Sequence, residues 1–243
     1  MSADPEFAAV EELLLHAEFE DCRALWWSSN YVYLAQLTAP EGQQVSAVYK
    51  PHSGESPLWD FPDGLYRREV AAYQLSQLLK WPFIPPTVLR DGPKGPGSLQ
   101  LFVNHDQAVH YFEQREKPEL IPQLQRMCVF DYVANNADRK GGHCLLDDSG
   151  IVWGIDHGLA FHADYKLRSV IWDWADEPIP QVWLDDIARL AEDLVGPGGE
   201  AESFRTLIDA GEVAATVGRI RKLLASSKFP MPGPHRHYPW PLV

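Results

Sequence analysis

A short hairpin framed by two aspartates is the feature that most constrains how this 243-residue chain can fold. Asp138 opens a loop rich in Asn and Gly, and Asp156 follows the second of two short apolar segments, Cys144–Leu146 and 151–155. A polar turn separates these segments, so we expect an antiparallel pair that brings both carboxylates to one end of a small sheet. Two acids in one cleft suit phosphoryl transfer, in which one orients the attacking hydroxyl and the other holds Mg²⁺. Each aspartate taken alone is more typical of an ordinary turn.

The N-terminal part of the chain predicts a small sheet with one helix. Runs of aromatic and β-branched residues, separated by Pro, Gly or small polar residues, indicate short strands. The predicted strands are 24–27, 31–37, 45–50, 85–89 and 99–103. Residues 65–80 carry apolar side chains at helical spacing, and the Gly- and Pro-rich segment 91–97 is expected to be a loop.

From residue 104 onward the pattern favours helices. They are predicted at 118–134, 182–194 and 211–225, where apolar residues recur at helical spacing. The segment 230–243 contains five prolines and is expected to be irregular. This change of pattern predicts an α+β chain in two lobes, with residues 1–103 forming a strand-rich lobe and residues 104–243 a helical one.

Charge and composition exclude several classes of protein. The formal net charge is −13, and an acidic body repels phosphate polymers, so no binding to nucleic acid is expected. No apolar run approaches the roughly 18 residues that a membrane span needs. Three widely spaced cysteines form no C-x-x-C pair, and the N-terminus is acidic rather than signal-like, so a reducing, cytoplasmic location is expected.

A lysine and a glutamate upstream of the hairpin form a second candidate pair. Lys50 ends a predicted strand, and Glu69 lies in the first turn of the helix predicted at 65–80. A strand lysine paired with a helical glutamate would place an ammonium at the α- and β-phosphates of ATP. Alone, such a lysine is usually a solvated charge and such a glutamate usually interacts with the helix dipole. The order of the elements that follow Lys50 and Glu69 favours the interpretation of the two residues as a functional pair.

That order resembles the protein-kinase-like fold, and the residues around the hairpin resemble its phosphatidylinositol 3-/4-kinase branch. Segment 136–140, Asn-Ala-Asp-Arg-Lys, is similar to the Asp-Arg-His loop of that branch, which has an Asn just upstream. Segment 155–158, Ile-Asp-His-Gly, is similar to its metal-binding segment. The resemblance implies a two-lobed α+β fold, with a small strand-rich N-lobe and a helical C-lobe that carries a catalytic hairpin.

The resemblance also implies a role for individual residues. Lys50 would contact the α- and β-phosphates, and Glu69 would orient it. Asp138 would be the catalytic carboxylate, Lys140 would contact the transferred phosphate, and Asp156 would bind the metal. The remaining contacts to the nucleotide would come from two segments, namely Ser28, Ser29 and Asn30 in place of a glycine-rich loop, and Gln100, Phe102 and Val103 in the connector 100–104 that touches adenine.

One residue departs from the family pattern at the metal site. The second metal ligand of the family is an Asn five positions after the catalytic Asp, and His143 stands there in this chain. Imidazole suits Mn²⁺ or Zn²⁺ better than Mg²⁺. The cofactors implied are therefore ATP with Mg²⁺ or Mn²⁺.

Three functions follow as hypotheses. The first is an ATP-dependent, kinase-like phosphotransferase whose acceptor, a small molecule or a protein, is unknown. The second is a nucleotide-binding pseudokinase that acts as a regulatory module, which His143 and the glycine-free phosphate loop favour. The third is a metal hydrolase built on His143, His157 and His162, which cluster around Asp156 in the sequence.

Overall fold

A five-stranded antiparallel sheet forms the N-terminal part of the chain. The computed structural model describes residues 5–25, 30–234 and 236–243. The strands of the sheet are β1 (Glu18–Leu25), β2 (Val32–Thr38), β3 (Gln44–Pro51), β4 (Thr87–Gly92) and β5 (Gly95–Leu101). Their order is β1-β2-β3-β5-β4, so β4 is an edge strand, as expected from Pro85 and Pro86 in the predicted strand 85–89, although β4 itself begins after them at Thr87. The antiparallel pairing of the first three strands is present, but β1 begins at Glu18, six residues before the predicted strand 24–27, and residues 26–29 of the predicted hairpin lie outside the described part of the chain.

Seven helices and a second, two-stranded sheet complete the part of the chain that the structure describes. The helices are α1 (Pro5–His16), α2 (Leu65–Leu79), α3 (Tyr111–Gln114), α4 (Ile121–Ala134), α5 (Gln181–Val195), α6 (Glu202–Leu207) and α7 (Ala210–Ser226). The small sheet pairs β6 (Cys144–Leu146) with β7 (Val152–Gly154) in antiparallel fashion. The hairpin between Asp138 and Asp156 is therefore present where the sequence predicts it.

Two of the three buried apolar clusters in the described residues account for most of the core, and the third is a small group of Phe61, Leu65 and Ala137. Beneath the five-stranded sheet, Leu14 of α1 packs with Ala47, Tyr49 and Leu99. The larger cluster joins α2 to the helices α4, α5 and α7 and to the hairpin strands. The helix that carries Glu69 is thus fixed on the helical part of the molecule, although it precedes residue 103. The division at 103/104 stays a prediction.

The Gly- and Pro-rich segment 91–97 is not a loop, which corrects the expectation from sequence. Strand β4 continues to Gly92, and β5 begins at Gly95 after a tight turn. A Cβ on Gly97 would lie 2.6 Å from the carbonyl oxygen of Lys50, so only glycine allows β5 to approach β3 at this point. The close approach supports the backbone of β3 at Lys50.

Helix α1 and the short helices α3 and α6 were not predicted from sequence. Within the residues that the structure describes, no helix combines the length and the apolar character that crossing a membrane requires.

Replacing Gly97 with Ala should destabilise the protein by about 1–3 kcal/mol, because β5 must move away from β3 to make room for the methyl group. Gly218→Ala in α7 is the control, since nothing lies within 4 Å of the added Cβ. That control should stabilise the protein by about 0.5–1 kcal/mol. Urea unfolding of both variants measures the difference, and equal stabilities would contradict the packing described for Gly97.

Candidate active site

Lys50 lies between two carboxylates that come from distant parts of the chain. Its Nζ donates to Oε1 of Glu69 at 2.5 Å and to Oδ1 of Asp156 at 2.7 Å. Lys50 is near the end of β3, Glu69 is in the second turn of α2, and Asp156 follows β7. Burial alone would lower the pKa of Lys50, but Asp156 and Glu69 outweigh it and raise the pKa above its usual value. The structure therefore brings together three residues that the sequence predicts to act together.

Glu69 also fixes the backbone that follows Asp156. Its carboxylate accepts from the N–H of His157 at 2.9 Å and from the N–H of Gly158 at 3.1 Å. A Cβ on Gly158 would lie 3.3 Å from Glu69 Oε1, so a glycine keeps this approach free of crowding. Burial raises the pKa of Glu69, and the Lys50 ammonium opposes that effect. Helix α2 is thus tied directly to the segment that positions Asp156.

Asp156 faces two basic side chains from an unusual backbone conformation. Its φ is +60°, in the left-handed region that non-glycine residues rarely occupy. Oδ1 accepts from Lys50, and Oδ2 lies 3.3 Å from Nε2 of His143. The Lys50 ammonium holds the pKa of Asp156 well below its usual range, although burial opposes it. The carboxylate is ionised and aimed into the cleft with 47% of the side chain exposed.

Three side chains form a group that fits a divalent cation. Asp138, His143 and Asp156 each offer one ligand atom, and these atoms all lie within 4.8 Å of one another. Burial lowers the pKa of His143 to about 4, so its imidazole is neutral at pH 7, as a metal ligand must be. Two carboxylates and one imidazole suit Mn²⁺ better than Mg²⁺. The residues present therefore fit the metal that the resemblance implies.

Asp138 is held by its own loop. Its N–H donates to Oδ1 of Asn136 at 3.0 Å, and its Oδ2 lies 3.0 Å from Nζ of Lys140. Burial raises the pKa of Asp138, and the hydrogen bond from Lys140 opposes that effect. A carboxylate with a raised pKa is a better acceptor for the proton of a hydroxyl group.

Arg139 is the residue that sequence reasoning missed. Its guanidinium is fully buried and makes two hydrogen bonds to the carboxylate of Asp131, at 2.8 and 3.0 Å. It also donates at 3.0 Å to the carbonyl oxygens of His143 and Ile155, and at 2.7 Å to Nε2 of His157. One side chain thus holds the backbone of His143 and the residue before Asp156. The sequence feature that indicates a buried cationic partner is Asp131, a charged residue on the otherwise apolar face of α4.

The predicted phosphate loop falls largely outside the described residues. Ser28 and Ser29 belong to that undescribed part, and their predicted role stays a prediction. Asn30 lines a cavity of about 170 Å³ together with Lys50, Glu69, Asp138 and Asp156. Its Oδ1 accepts from the N–H of Ser56 at 2.9 Å, which links the tip of the sheet to the segment that precedes α2.

The predicted adenine connector does not line this cavity. The side chain of Gln100 is buried inside the sheet and donates to Oγ1 of Thr87 at 2.8 Å, and the N–H of Phe102 donates to the carbonyl oxygen of Ser46. The carbonyl oxygen of Val103 lies 2.9 Å from Nδ1 of His105. Gln100 is thus part of the sheet and not of the connector, and the contact of Phe102 and Val103 with adenine stays a prediction.

The three histidines of the hydrolase hypothesis do not converge. Nε2 of His157 accepts from Arg139, and burial lowers the pKa of His157 well below its usual value. The ring of His162 packs against Phe61 at 5.1 Å. In the described part of the chain, neither of the two groups that could hold a metal contains more than one histidine. The structure therefore gives this hypothesis no site.

Replacing Asp131 with Ala should lower the free energy of unfolding by about 3–5 kcal/mol, because it leaves the buried Arg139 guanidinium without a counter-ion. Asp176→Ala is the control, since it removes the partner of Lys228, an exposed pair at 2.8 Å. That change should amount to less than about 1 kcal/mol. Urea unfolding monitored by tryptophan fluorescence tests both variants, and similar losses would contradict an organising role for the buried pair.

Comparison with solved structures identifies the fold. The Golgi casein kinase with Mn/ADP bound is similar with a TM-score of 0.57 and 12% identity, over 93% of this chain and 76% of that one. The structure of hydra Fam20 with sugar is similar with a TM-score of 0.55 and 14% identity, over 93% of this chain and 89% of that one. The expected kinase-like α+β fold is confirmed.

Comparison of sequences identifies the family. Protein Rv2133c of Mycobacterium tuberculosis (strain ATCC 25618 / H37Rv) is 40% identical, over 88% of each chain. Phosphatidylinositol 4-kinase gamma 4 of Arabidopsis thaliana is 26% identical, and the match covers 56% of this chain and 31% of that relative. The sequence profile of the family "Phosphatidylinositol 3- and 4-kinase" matches residues 74–215, a range that includes Asp138, His143 and Asp156. The chain therefore belongs to the phosphatidylinositol 3- and 4-kinase family.

Proposed function

We propose that this chain transfers the γ-phosphate of ATP to a hydroxyl acceptor. Fold and family support a kinase-like phosphotransferase. The observation that carries the proposal is the convergence on one cavity of Lys50, Glu69, Asp156 and Asp138, from four separate elements. Their spacing matches what phosphoryl transfer needs, which is mainly positioning and charge stabilisation.

Lys50 is the proposed contact to the α- and β-phosphates. Glu69 holds the ammonium in place from α2, while Asp156 lies on its other side. A nucleotide phosphate that enters the cleft supplies a further anionic partner for Lys50. The similarity to a kinase whose structure has Mn/ADP bound supports nucleotide binding at this cleft.

Asp156 and His143 are the proposed ligands of a divalent cation, with Asp138 within reach. A bound Mn²⁺ or Mg²⁺ would neutralise negative charge on the phosphates. His143 favours Mn²⁺, because an imidazole ligand is poorly matched to Mg²⁺.

Asp138 is the proposed catalytic carboxylate and Lys140 the proposed contact to the transferred phosphate. Asp138 orients the acceptor hydroxyl and takes its proton as the hydroxyl oxygen bonds to the γ-phosphorus. The bond between that phosphorus and the bridging oxygen breaks, and ADP leaves with the bonding electron pair. Lys140, 3.0 Å from Asp138, is placed to attract the transferred group during this step.

Asp138→Ala should lower ATP turnover at least about 100-fold, because the carboxylate acts on the acceptor hydroxyl, and should leave most of the nucleotide binding, because Lys50, Asp156 and His143 remain in place. ADP release measures turnover, and a thermal-shift titration with ATP and Mn²⁺ measures binding. Asp164→Ala is the matched control, since that carboxylate is 87% exposed. Undiminished turnover in Asp138→Ala would contradict the role of this residue. If the unaltered chain binds ATP without turning it over, the regulatory-module hypothesis replaces the kinase.

Asp156→Ala should remove the metal-dependent part of nucleotide binding. At a hundredfold excess of ligand over Kd, binding should stabilise the unaltered chain by about 2.7 kcal/mol. The variant should show little of this effect when Mn²⁺ is added with ATP. Asp63→Ala is the control, because Asp63 belongs to the second cluster, with His52 and Glu55, that could hold a metal. If Asp63→Ala loses the metal-dependent stabilisation and Asp156→Ala keeps it, the metal binds at that second cluster and not at Asp156.

A further inference from the structure

Residues 236–243 lie directly against the loop that carries the proposed catalytic residues. The carbonyl oxygen of Leu242 accepts from the N–H of Gly141 at 2.7 Å. Gly141 follows Lys140 and begins a 3-10 turn that ends at His143. The first N–H groups of such a turn have no partner within it, and Leu242 supplies one from outside.

A second main-chain bond attaches the same segment to the other side of the site. The carbonyl oxygen of His237 accepts from the N–H of Ser169 at 3.0 Å. Ser169 in turn forms a parallel β-bridge with Arg139. The N–H of Arg139 donates to the carbonyl oxygen of Arg168, and the N–H of Val170 donates to the carbonyl oxygen of Arg139. The ring of His237 also packs edge-on against that of Trp172 at 6.1 Å. Residues 236–243 are therefore joined to Ser169, which is itself bridged to Arg139 beside Asp138 and Lys140.

Val243 packs against two adjacent glycines of the loop. A Cβ on Gly141 would lie 3.2 Å from the ring of Phe112 and 3.4 Å from Cγ2 of Val243. A Cβ on Gly142 would lie 3.8 Å from Cγ1 of Val243. The segment thus packs into space that the glycines leave open. Two adjacent glycines have large conformational freedom, so the backbone between Lys140 and His143 needs restraint from outside.

We propose that residues 236–243 form a positioning strap, which fixes the loop between Lys140 and His143 in the geometry that catalysis and metal binding need. The inference rests on the proposed function of this site. None of residues 236–243 lines the cavity that contains Lys50, Asp138 and Asp156, and the strap acts through the Gly141 and Ser169 amides. Displacement of a reacting group by about 1 Å costs up to about 100-fold in rate, so a loosened loop lowers turnover without unfolding the protein.

The first test measures the strap without any catalytic readout. Removal of residues 240–243 eliminates the Leu242 carbonyl and Val243. The control is Met231→Ala, at an exposed position that precedes the strap. In the shortened chain, hydrogen exchange followed by NMR should be at least about tenfold faster at the Gly141 amide and unchanged at the Leu99 amide. Mn²⁺ affinity should fall about tenfold. Unchanged exchange at Gly141 in the shortened chain would overturn the proposal.

The second test separates positioning from general stability. With Mn²⁺ at a concentration that saturates both chains, the kcat for ADP release should fall about 10- to 100-fold in the shortened chain, while KM for ATP stays within about twofold. A kcat in the shortened chain equal to that of the unaltered chain would overturn the proposal. If the unaltered chain itself releases no ADP, the proposed function is wrong. The hydrogen-exchange and Mn²⁺-affinity measurements then still test whether residues 236–243 hold the loop in place.

Discussion

The buried Arg139 guanidinium is the constraint on which the rest of the site depends. A charge in the interior is tolerated only when it is paired and its donors are satisfied, and Asp131 supplies the counter-ion through both carboxylate oxygens. The remaining donors reach the carbonyl oxygens of His143 and Ile155 and Nε2 of His157. These two carbonyls lie where the hairpin begins and ends. The cost of burying Arg139 is thus offset only if the two proposed metal ligands, His143 and Asp156, are at the correct places.

A second set of contacts connects this arrangement to the sheet. Glu69 receives the Lys50 ammonium on one side and the amides of His157 and Gly158 on the other. Since α2 packs into the larger apolar cluster, Glu69 is fixed relative to the hairpin. The three charges Lys50, Glu69 and Asp156 therefore form a chain in which each carboxylate stabilises the ammonium. Removal of Lys50 would leave two neighbouring carboxylates without their shared counter-ion, which explains how residues from distant elements can act as one site.

Short-range patterns predicted the part of the site that lies within one stretch of chain. The hairpin between Asp138 and Asp156 follows from two apolar segments and a polar turn, and Lys50 and Glu69 follow from the order of elements in a known family. Arg139 could not be predicted, because buried arginines are rare and its partners come from helix, loop and hairpin. The Gly- and Pro-rich hairpin at 91–97 was mistaken for a loop because Gly97, which lets β5 approach β3, cannot be told apart from a loop glycine in the sequence. The attachment of residues 236–243 to Gly141 depends on main-chain contacts between irregular segments, which no periodicity reveals.

The most direct test of this account is a crystal structure of the chain with Mn²⁺ and a non-hydrolysable ATP analogue. The account predicts Mn²⁺ bound by the carboxylate of Asp156 and the imidazole of His143, with the Lys50 ammonium on the α- and β-phosphates. It also predicts that the Arg139 guanidinium keeps its bonds to Asp131 and to the two hairpin carbonyls. Mn²⁺ held instead by His52, Glu55 and Asp63, or a nucleotide bound away from Lys50, would contradict it.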